Sequence, residues 1–338
     1  LEPGGDAFLT VAVIDTGVDY AHPDLTANIW TNTAEVAGNG VDDDGNGYVD
    51  DVHGAAVVGE SFSHSGNPAD DHGHGTHVAG IIAATADNNI GGVGIAYNAK
   101  IMAIKAAQYS GILTTIDIAE GIFYAVENGA DVINMSFGGY ARAQVEEDAL
   151  ATAFAQAVLV AAAGNDRKPN VVCGIPGSPM YPAAHPWVVG VMATHANSGG
   201  AGDYLTGFSN WDCVPDNGIE YEVMAPGLAI WSTLPNGGYA AWAGTSMAAP
   251  VVAAMAVLAR TNWPNKSIFS SRFIMGQLAA TGEVRQGITP CSTCLPINYH
   301  HADALRTLTE TPKPELFYEE HWLFDDEADN TPNDGDGR

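Results

Sequence analysis

Gly244-Thr-Ser-Met-Ala-Ala-Pro250 is the stretch on which the fold and the chemistry of this chain depend. The apolar run at residues 251–260 that follows it predicts a buried helix, so Ser246 lies at or near a helix N-terminus. The unpaired N–H groups and the dipole of a helix N-terminus favour developing negative charge. Pro250 is expected within the first turn, where a missing N–H has no cost. A serine hydroxyl presented in this way is typical of a nucleophile, which needs a base and an orienting acid.

Candidates for both partners lie upstream. The β-branched run at residues 10–14 predicts a buried strand that ends in Asp15-Thr-Gly17, and His74 precedes a second apolar run at residues 78–84. Here the sequence resembles the subtilisin-like serine proteases. Asp15-Thr-Gly17, His74-Gly-Thr-His-Val-Ala-Gly80 and the Ser246 stretch match the three signatures of that family in the order Asp, His, Ser. The match covers roughly residues 8–307.

The resemblance implies a role for each catalytic residue. Ser246 would be the nucleophile, His74 the base and Asp15 the acid that orients the imidazole. Asn165 follows a buried apolar run where the family has its oxyanion asparagine. Without the companion motifs, Ser246 would be interpreted as a helix cap and Asn165 as a turn residue. A zinc cluster of His72, His74 and His77 is the alternative for the histidines, but it lacks the glutamate base of HExxH enzymes.

The resemblance also implies a substrate cleft between two short segments. One wall of the primary pocket would be Ser136, Phe137, Gly138 and Gly139, and the other would be Ala162, Ala163 and Gly164. Glycines allow an extended peptide to pair with the protein backbone, and small residues leave the pocket wide. The resemblance therefore implies broad specificity, with a preference for large apolar side chains before the scissile bond.

Strands and helices are predicted to alternate along the chain. Strands are expected at residues 100–106, 131–135, 158–162, 188–193 and 221–225, and helices at residues 115–128 and 143–157. This alternation predicts βαβ units and an α/β fold, a three-layer sandwich with a mainly parallel sheet flanked by helices, as in subtilisin. Residues 1–307 are predicted to form the peptidase domain. Residues 308–338 are predicted to be an acidic linker or the start of a further C-terminal region.

Two acidic loops are candidate calcium sites. Counted from Asp42, the first resembles the start of an EF-hand loop, with oxygens at alternate positions and a glycine at the sixth. Its candidate ligands are Asp42, Asp44, Asn46, Tyr48, Asp50 and Asp51. Position twelve is His53, so bidentate ligation would have to come from Asp50 or Asp51. For the second loop, the resemblance implies ligation by Asp24, Asn88, Ile90 and Gly92. A solvated acidic turn is the alternative for the first loop.

Composition restricts partners and compartment. The chain has 338 residues with 40 acidic and 12 basic side chains, and its net charge of −28 argues against nucleic acid or anionic membranes as partners. No apolar run approaches the ~20 residues that span a bilayer.

Four cysteines allow three complete pairings, among which Cys173–Cys213 with Cys291–Cys294 is preferred. Cys291-x-x-Cys294 could otherwise be a redox motif or half of a zinc site.

The sequence therefore predicts a secreted, calcium-stabilised serine endopeptidase that cleaves protein or peptide substrates through an acyl-enzyme. The resemblance further implies an inhibitory propeptide, and a monomer is expected. The competing hypothesis is a secreted scaffold without catalysis, kept for calcium-dependent adhesion. The complete triad and Asn165 argue against it.

Overall fold

The computed structural model describes Gly5 and residues 9–59, 64–170, 177–196, 203–212, 221–290 and 297–310. Over these residues the strands and helices follow one another as β1 Thr10–Asp15, β2 Tyr48–Val49, β3 Gly54–Ala56, β4 His64–Ser65, α1 His74–Ala83, β5 Lys100–Lys105, α2 Thr115–Glu127, β6 Val132–Met135, α3 Gln144–Phe154, β7 Val158–Ala162, β8 Val188–Ala196, β9 Asp203–Leu205, β10 Val223–Pro226, β11 Ile230–Leu234, β12 Gly238–Trp242, α4 Thr245–Asn262, α5 Ser271–Ala280, β13 Glu283–Ile288, β14 Ile297–His301 and α6 Ala304–Thr309.

A mainly parallel sheet forms the middle layer. Its strand order, among the described residues, is β13-β14-β10-β8-β7-β6-β1-β5-β3-β4-β2, with β9 paired to β8. The central strands β5, β1, β6, β7, β8 and β10 run parallel. The antiparallel pairs are β13 with β14, β4 with β3 and β9 with β8. Parallel strands covered on both faces must be apolar throughout, which explains the continuous hydrophobic runs in the sequence.

Helices cover both faces of the sheet. Val11 and Val13 of β1 pack into a core shared with α1, α4 and α5, while Ala12 and Ile14 pack into a second core shared with α2 and α3. The alternation follows from the two-residue period of a strand. The predicted three-layer α/β sandwich is confirmed.

The predicted elements lie close to the observed ones, but α5, β13, β14 and a hairpin were not predicted. β11 and β12 pair antiparallel around Asn236 and Gly237, which have φ angles of 63° and 73°. Such left-handed pairs are typical of tight hairpin turns. Ser232 and Thr233 donate from this hairpin to the carbonyls of His77 and Thr76, so it holds α1 in place.

Some predictions concern residues outside the described part of the chain, and one concerns a domain boundary that falls within a helix. All four cysteines and residues 311–338 lie outside the described residues. Helix α6 continues from Ala304 to Thr309 across the predicted boundary at residue 307, and Asn262 donates to Leu308 O at 3.3 Å. None of the helices in the described part of the chain is long and apolar enough to cross a membrane.

Candidate active site

Asp15 is held rigidly at the carboxyl end of β1. The strand is hydrogen-bonded on both sides, by β5 and β6, and the Asp15 side chain is 3% exposed. The N–H of Thr16 donates to Asp15 Oδ1 at 2.7 Å. Lys105, which pairs with Asp15 in the ladder, donates to Thr16 O at 2.8 Å and to Asp71 at 2.7 Å. The carboxylate is therefore fixed before any substrate binds.

His74 is the first residue of α1 and faces Asp15. Its Nδ1 lies 2.8 Å and 2.9 Å from the two carboxylate oxygens of Asp15, so Nε2 is left for the nucleophile. Asp70 accepts the N–H groups of Gly73 and Thr76, which anchors the start of the helix. Burial disfavours the imidazolium, but the Asp15 carboxylate outweighs burial and, with Asp70, raises the pKa of His74. The pair is suited to general base catalysis.

The two other histidines of the motif do not form a metal cluster with His74. His77 is fully buried, its Nε2 lies 3.1 Å from Ala240 O, and its ring stacks on Trp242 at 4.8 Å. His72 lies with its ring centroid 6.4 Å from that of His74. One ring nitrogen of His74 and one of His77 already face other hydrogen-bond partners. The geometry therefore favours the catalytic role of His74 over a zinc site.

Ser246 is the second residue of α4, at the helix N-terminus that the sequence predicts. Its Oγ donates to Ser136 O at 2.9 Å. In the described part of the chain, this Oγ forms no hydrogen bond with His74. Proton transfer to His74 Nε2 therefore requires the Ser246 hydroxyl to exchange one acceptor for another. Ser136 directly follows β6, so the nucleophile is anchored to the sheet.

The predicted position of Pro250 in the first turn is wrong. It is the sixth residue of α4, where an ordinary residue would donate its N–H to the carbonyl of Ser246. Proline has no such N–H, and Ser136 Oγ donates to Ser246 O instead, at 3.0 Å. Asn134 Nδ2 in turn donates to Ser136 Oγ at 2.9 Å. The Ser136 side chain, just after the end of β6, thus satisfies the Ser246 carbonyl that proline leaves unpaired.

Asn165 lies against Thr245, the residue before Ser246. Its Oδ1 accepts the N–H of Thr245 at 2.8 Å and the Thr245 hydroxyl at 3.1 Å. Because Oδ1 is occupied by the first residue of α4, Nδ2 is the atom left to donate. Together with the N–H of Ser246, the second residue of α4, it forms a pair of donors suited to an oxyanion.

A cleft of about 630 Å³ runs beside these residues. Its lining includes Asp15, His74 and the predicted wall Ser136, Phe137, Gly138 and Gly139, together with residues 110–113. The backbone of Gly139 is already paired with Tyr181, by hydrogen bonds of 2.8 Å in each direction. Pairing with a substrate backbone is therefore left to the residues of this wall before Gly139.

Met180 lies between the two predicted walls of the primary pocket, and sequence reasoning missed it. A Cβ atom on Gly138 would lie 2.8 Å from Met180 Sδ, and one on Gly164 would collide with Met180 Cε. Ala162 and Ala163 of the second wall are buried. Nothing local in the sequence marks Met180, because the chain brings it back to the walls from a distant segment.

The second predicted calcium loop brings most of its candidate ligands together. Asp24 is fully buried and accepts from Asn88 Nδ2 at 2.6 Å and from the Gly92 N–H at 3.4 Å. Ile90 donates its N–H to Asn88 Oδ1 at 3.1 Å. The Tyr239 hydroxyl also donates to Asp24, at 3.1 Å, and sequence reasoning did not include it.

In the first acidic loop, Glu35, Asp42 and Asp44 converge. One carboxylate oxygen from each lies within 4.8 Å of the others. Glu35 was missed because it precedes the loop by seven residues, although it accepts the N–H groups of Asp43, Asp44 and Asp50. The pKa of Asp42 is lowered, chiefly because Gly47 donates its N–H to the carboxylate.

The side chains of the remaining candidate ligands of this loop have other hydrogen-bond partners. Asp50 accepts the N–H groups of Asn39 and Gly40, at 3.1 Å and 3.0 Å. Asp51 is fully buried and accepts from Tyr124, Asn32 and Asn46. Asn46 Oδ1 accepts the N–H of Tyr48, and the Tyr48 hydroxyl donates to Glu120 at 2.8 Å. A set of three hard carboxylate donors nevertheless fits Ca²⁺.

Comparison with known proteins agrees with this geometry. The sequence profile of the subtilase family matches residues 7–283. Subtilisin DY of Bacillus licheniformis is 38% identical over 263 residues, which cover 77% of this chain and 80% of that protein. A thermophilic serine proteinase of Bacillus sp. (strain AK1) is 36% identical over 75% of this chain and 52% of its own length. The solved structure of sphericase superposes with a TM-score of 0.67 at 27% identity, covering 82% of this chain and 84% of that one. The chain belongs to the subtilase family and is a subtilisin-like serine peptidase.

Proposed function

We propose that this peptidase is a secreted endopeptidase that acts through an acyl-enzyme on Ser246. The observation that carries the proposal is that both carboxylate oxygens of Asp15 face His74 Nδ1, while Ser246 and Asn165 lie at the α4 N-terminus. Ser246 Oγ forms a bond to the scissile carbonyl carbon while His74 Nε2 takes the hydroxyl proton. The oxyanion receives hydrogen bonds from Asn165 Nδ2 and from the α4 N-terminus. His74 then protonates the leaving amine as the C–N bond breaks, and water releases the acyl group by the reverse sequence.

A fluorophosphonate probe tests this proposal directly. The folded protein should become labelled at Ser246, and Ser246→Ala should abolish both labelling and peptide cleavage. Pure folded protein that neither labels nor cleaves would support the scaffold hypothesis instead.

The substrate side chain before the scissile bond is proposed to be apolar. The glycine and alanine walls support this, and the flexible thioether of Met180 offers an adaptable apolar surface between them. Since Met180 occupies part of that space, we expect leucine or methionine to be cleaved faster than phenylalanine or tyrosine. Met180→Ala should reverse the order in a peptide series that varies this residue alone.

Calcium is proposed as a structural ion. Glu35, Asp42 and Asp44 would hold it in the first loop, and their mutual repulsion without a cation supports the assignment. Asp24 with Asn88 is the proposed second site, where the amide would have to turn its oxygen toward the ion. The ion would stabilise the loops without taking part in the reaction.

Secretion, a propeptide inhibitor and a monomeric state belong to the same proposal. The resemblance supports the first two, and the acidic composition supports a well-hydrated, self-repelling surface. Intact mass without reduction should show two disulfides, as expected in an oxidising compartment. Four thiols that alkylate without reduction would contradict the extracellular assignment.

A further inference from the structure

The substrate cleft contains a buried acid that the catalytic mechanism does not use. Glu146, in the first turn of α3, lines the same cleft as His74 and Phe137. Glu146 is only 3% exposed, and no described residue forms a hydrogen bond with its Oε1. A buried carboxyl without a donor lowers stability, so a folded protein rarely keeps one without a use.

The groups around Glu146 do not supply that donor. His185 Nε2 lies 3.9 Å from Glu146 Oε1, beyond hydrogen-bonding distance, and has no hydrogen-bond partner within the part of the chain that the structure describes. Burial lowers the pKa of His185 to about 4, so this ring is neutral at working pH. Arg142, in the loop before α3, pairs with Glu147, at 3.0 Å between Nε and Oε2. Tyr181 lines the cleft and packs its ring on His185 at 4.7 Å.

The cleft around the acid suits a long side chain with a cationic end. Ile112, Leu113 and Phe137 line it, and an apolar wall of this kind covers the aliphatic stem of lysine or arginine. Their terminal N–H groups would then reach the carboxyl, forming a charge-assisted hydrogen bond. The net charge of −28 also favours cationic segments among all peptides that approach the cleft.

We propose that Glu146 is a specificity-determining residue of a second subsite, which selects a lysine or arginine side chain at a substrate position other than the one in the primary pocket. This inference rests on the proposed endopeptidase function, because it takes the cleft as the peptide-binding site. The subsite would depend on pH, since burial, with the nearby Glu147 carboxylate, raises the pKa of Glu146 to about 7. Selection for a cation strengthens as the pH rises through that value and the carboxyl ionises.

Peptide libraries test the subsite. Each position except the primary one is varied among lysine, arginine, leucine and glutamate. The ratio kcat/KM is measured at about pH 6 and about pH 9, on either side of the Glu146 pKa of about 7. One position should prefer lysine or arginine over leucine by ~10-fold or more at the higher pH. Glu146→Gln and Glu146→Leu should lose that preference. Asp148→Asn is the matched control, because it removes an exposed carboxylate from the same helix.

The outcomes separate this inference from the proposed function. An enzyme that cleaves the library without a cationic preference outside the primary position overturns the subsite and leaves the peptidase intact. A protein that neither cleaves nor labels with fluorophosphonate overturns both. A Glu146→Leu variant with lowered Tm and unchanged selectivity would make Glu146 structural and overturn the subsite. We expect instead a Tm equal to or above that of the parent, because an unpaired buried carboxyl is removed.

Discussion

Ser136 and Ser246 each donate a hydroxyl hydrogen bond to the main-chain carbonyl of the other, at 3.0 Å to Ser246 O and 2.9 Å to Ser136 O. The first of these bonds exists because Pro250 cannot donate to Ser246 O. Asn134 Nδ2 donates to Ser136 Oγ, which directs the Ser136 proton toward Ser246. The backbone of the nucleophile is thus tied to the end of a sheet strand at two points.

Ser136→Ala should lower both stability and turnover. It leaves the carbonyl of Ser246 without a donor, at a cost of ~1–3 kcal/mol, and we expect kcat to fall more than KM rises. Pro250→Ala restores an N–H four residues after Ser246. In the double variant it should therefore recover part of the loss, measured by denaturant unfolding and steady-state kinetics. Strictly additive effects would show that the two residues do not share this carbonyl.

Asn165→Asp should reduce turnover by ~10²–10³-fold with a smaller change in KM, as expected for the loss of one oxyanion donor. Aspartate keeps an oxygen for the Thr245 N–H but lacks the N–H of Nδ2. Asn165→Ala removes both, so it should also lower the Tm. A variant with raised KM and normal kcat would contradict the assignment.

The acid limb of the kcat/KM profile should have its midpoint above the ordinary histidine pKa of about 6.5. His74 must be neutral to act as a base, and Asp15 raises its pKa in spite of burial, so activity is lost as the pH falls through this raised value. Asp15→Asn removes the carboxylate and should move the midpoint of its residual activity to lower pH. Asp71→Asn, which removes the charge that pairs with Lys105, should leave the midpoint in place.

Glu146 should make the folded protein lose stability as the pH rises from about 4.5 to about 7. Its pKa is higher in the folded than in the unfolded chain, so in this window the folded state binds more protons and stability falls with pH. The difference corresponds to on the order of 3 kcal/mol in total. Glu146→Gln should unfold with a flatter pH dependence, measured in the inert Ser246→Ala background. Parallel curves for the two proteins would contradict a raised pKa.

Calcium should raise the Tm of the inert Ser246→Ala form relative to chelator. An ion that binds only the folded state at a hundredfold excess over its Kd contributes ~2.7 kcal/mol. Glu35→Gln or Asp44→Ala should reduce that gain, because both carboxylates belong to the convergent set. Asp50→Asn should change it less, since the Asp50 carboxylate accepts from Asn39 and Gly40. Equal midpoints with calcium and chelator would show that the acidic loops are solvated turns.

Sequence reasoning predicts the fold where the information is local, and the site motifs are local in the same way. Asp15, His74 and Ser246 each lie in a short motif at the end of a strand or the start of a helix, and the structure joins Asp15 to His74 and Ser246 to the wall of the cleft. The alternating apolar runs predict most of the parallel sheet for the same reason.

The residues that the sequence analysis missed lie where distant segments of the chain come into contact. Glu35, Glu146 and Met180 carry no local pattern, and their roles depend on what the fold places beside them. The position of Pro250 was mistaken because the helix begins at Thr245, five residues earlier, and periodicity does not define that start.

The helices that carry His74, Ser246 and Glu146 lie on different faces of the sheet. α1 and α4, which bring His74 and Ser246, pack on one face, whereas α3, which brings Glu146, packs on the other. If Glu146 selects substrates as proposed, substitutions in α3 would change selectivity from the face of the sheet opposite to the helices that carry His74 and Ser246. The preferred substrate could then change in evolution while these two helices keep their packing.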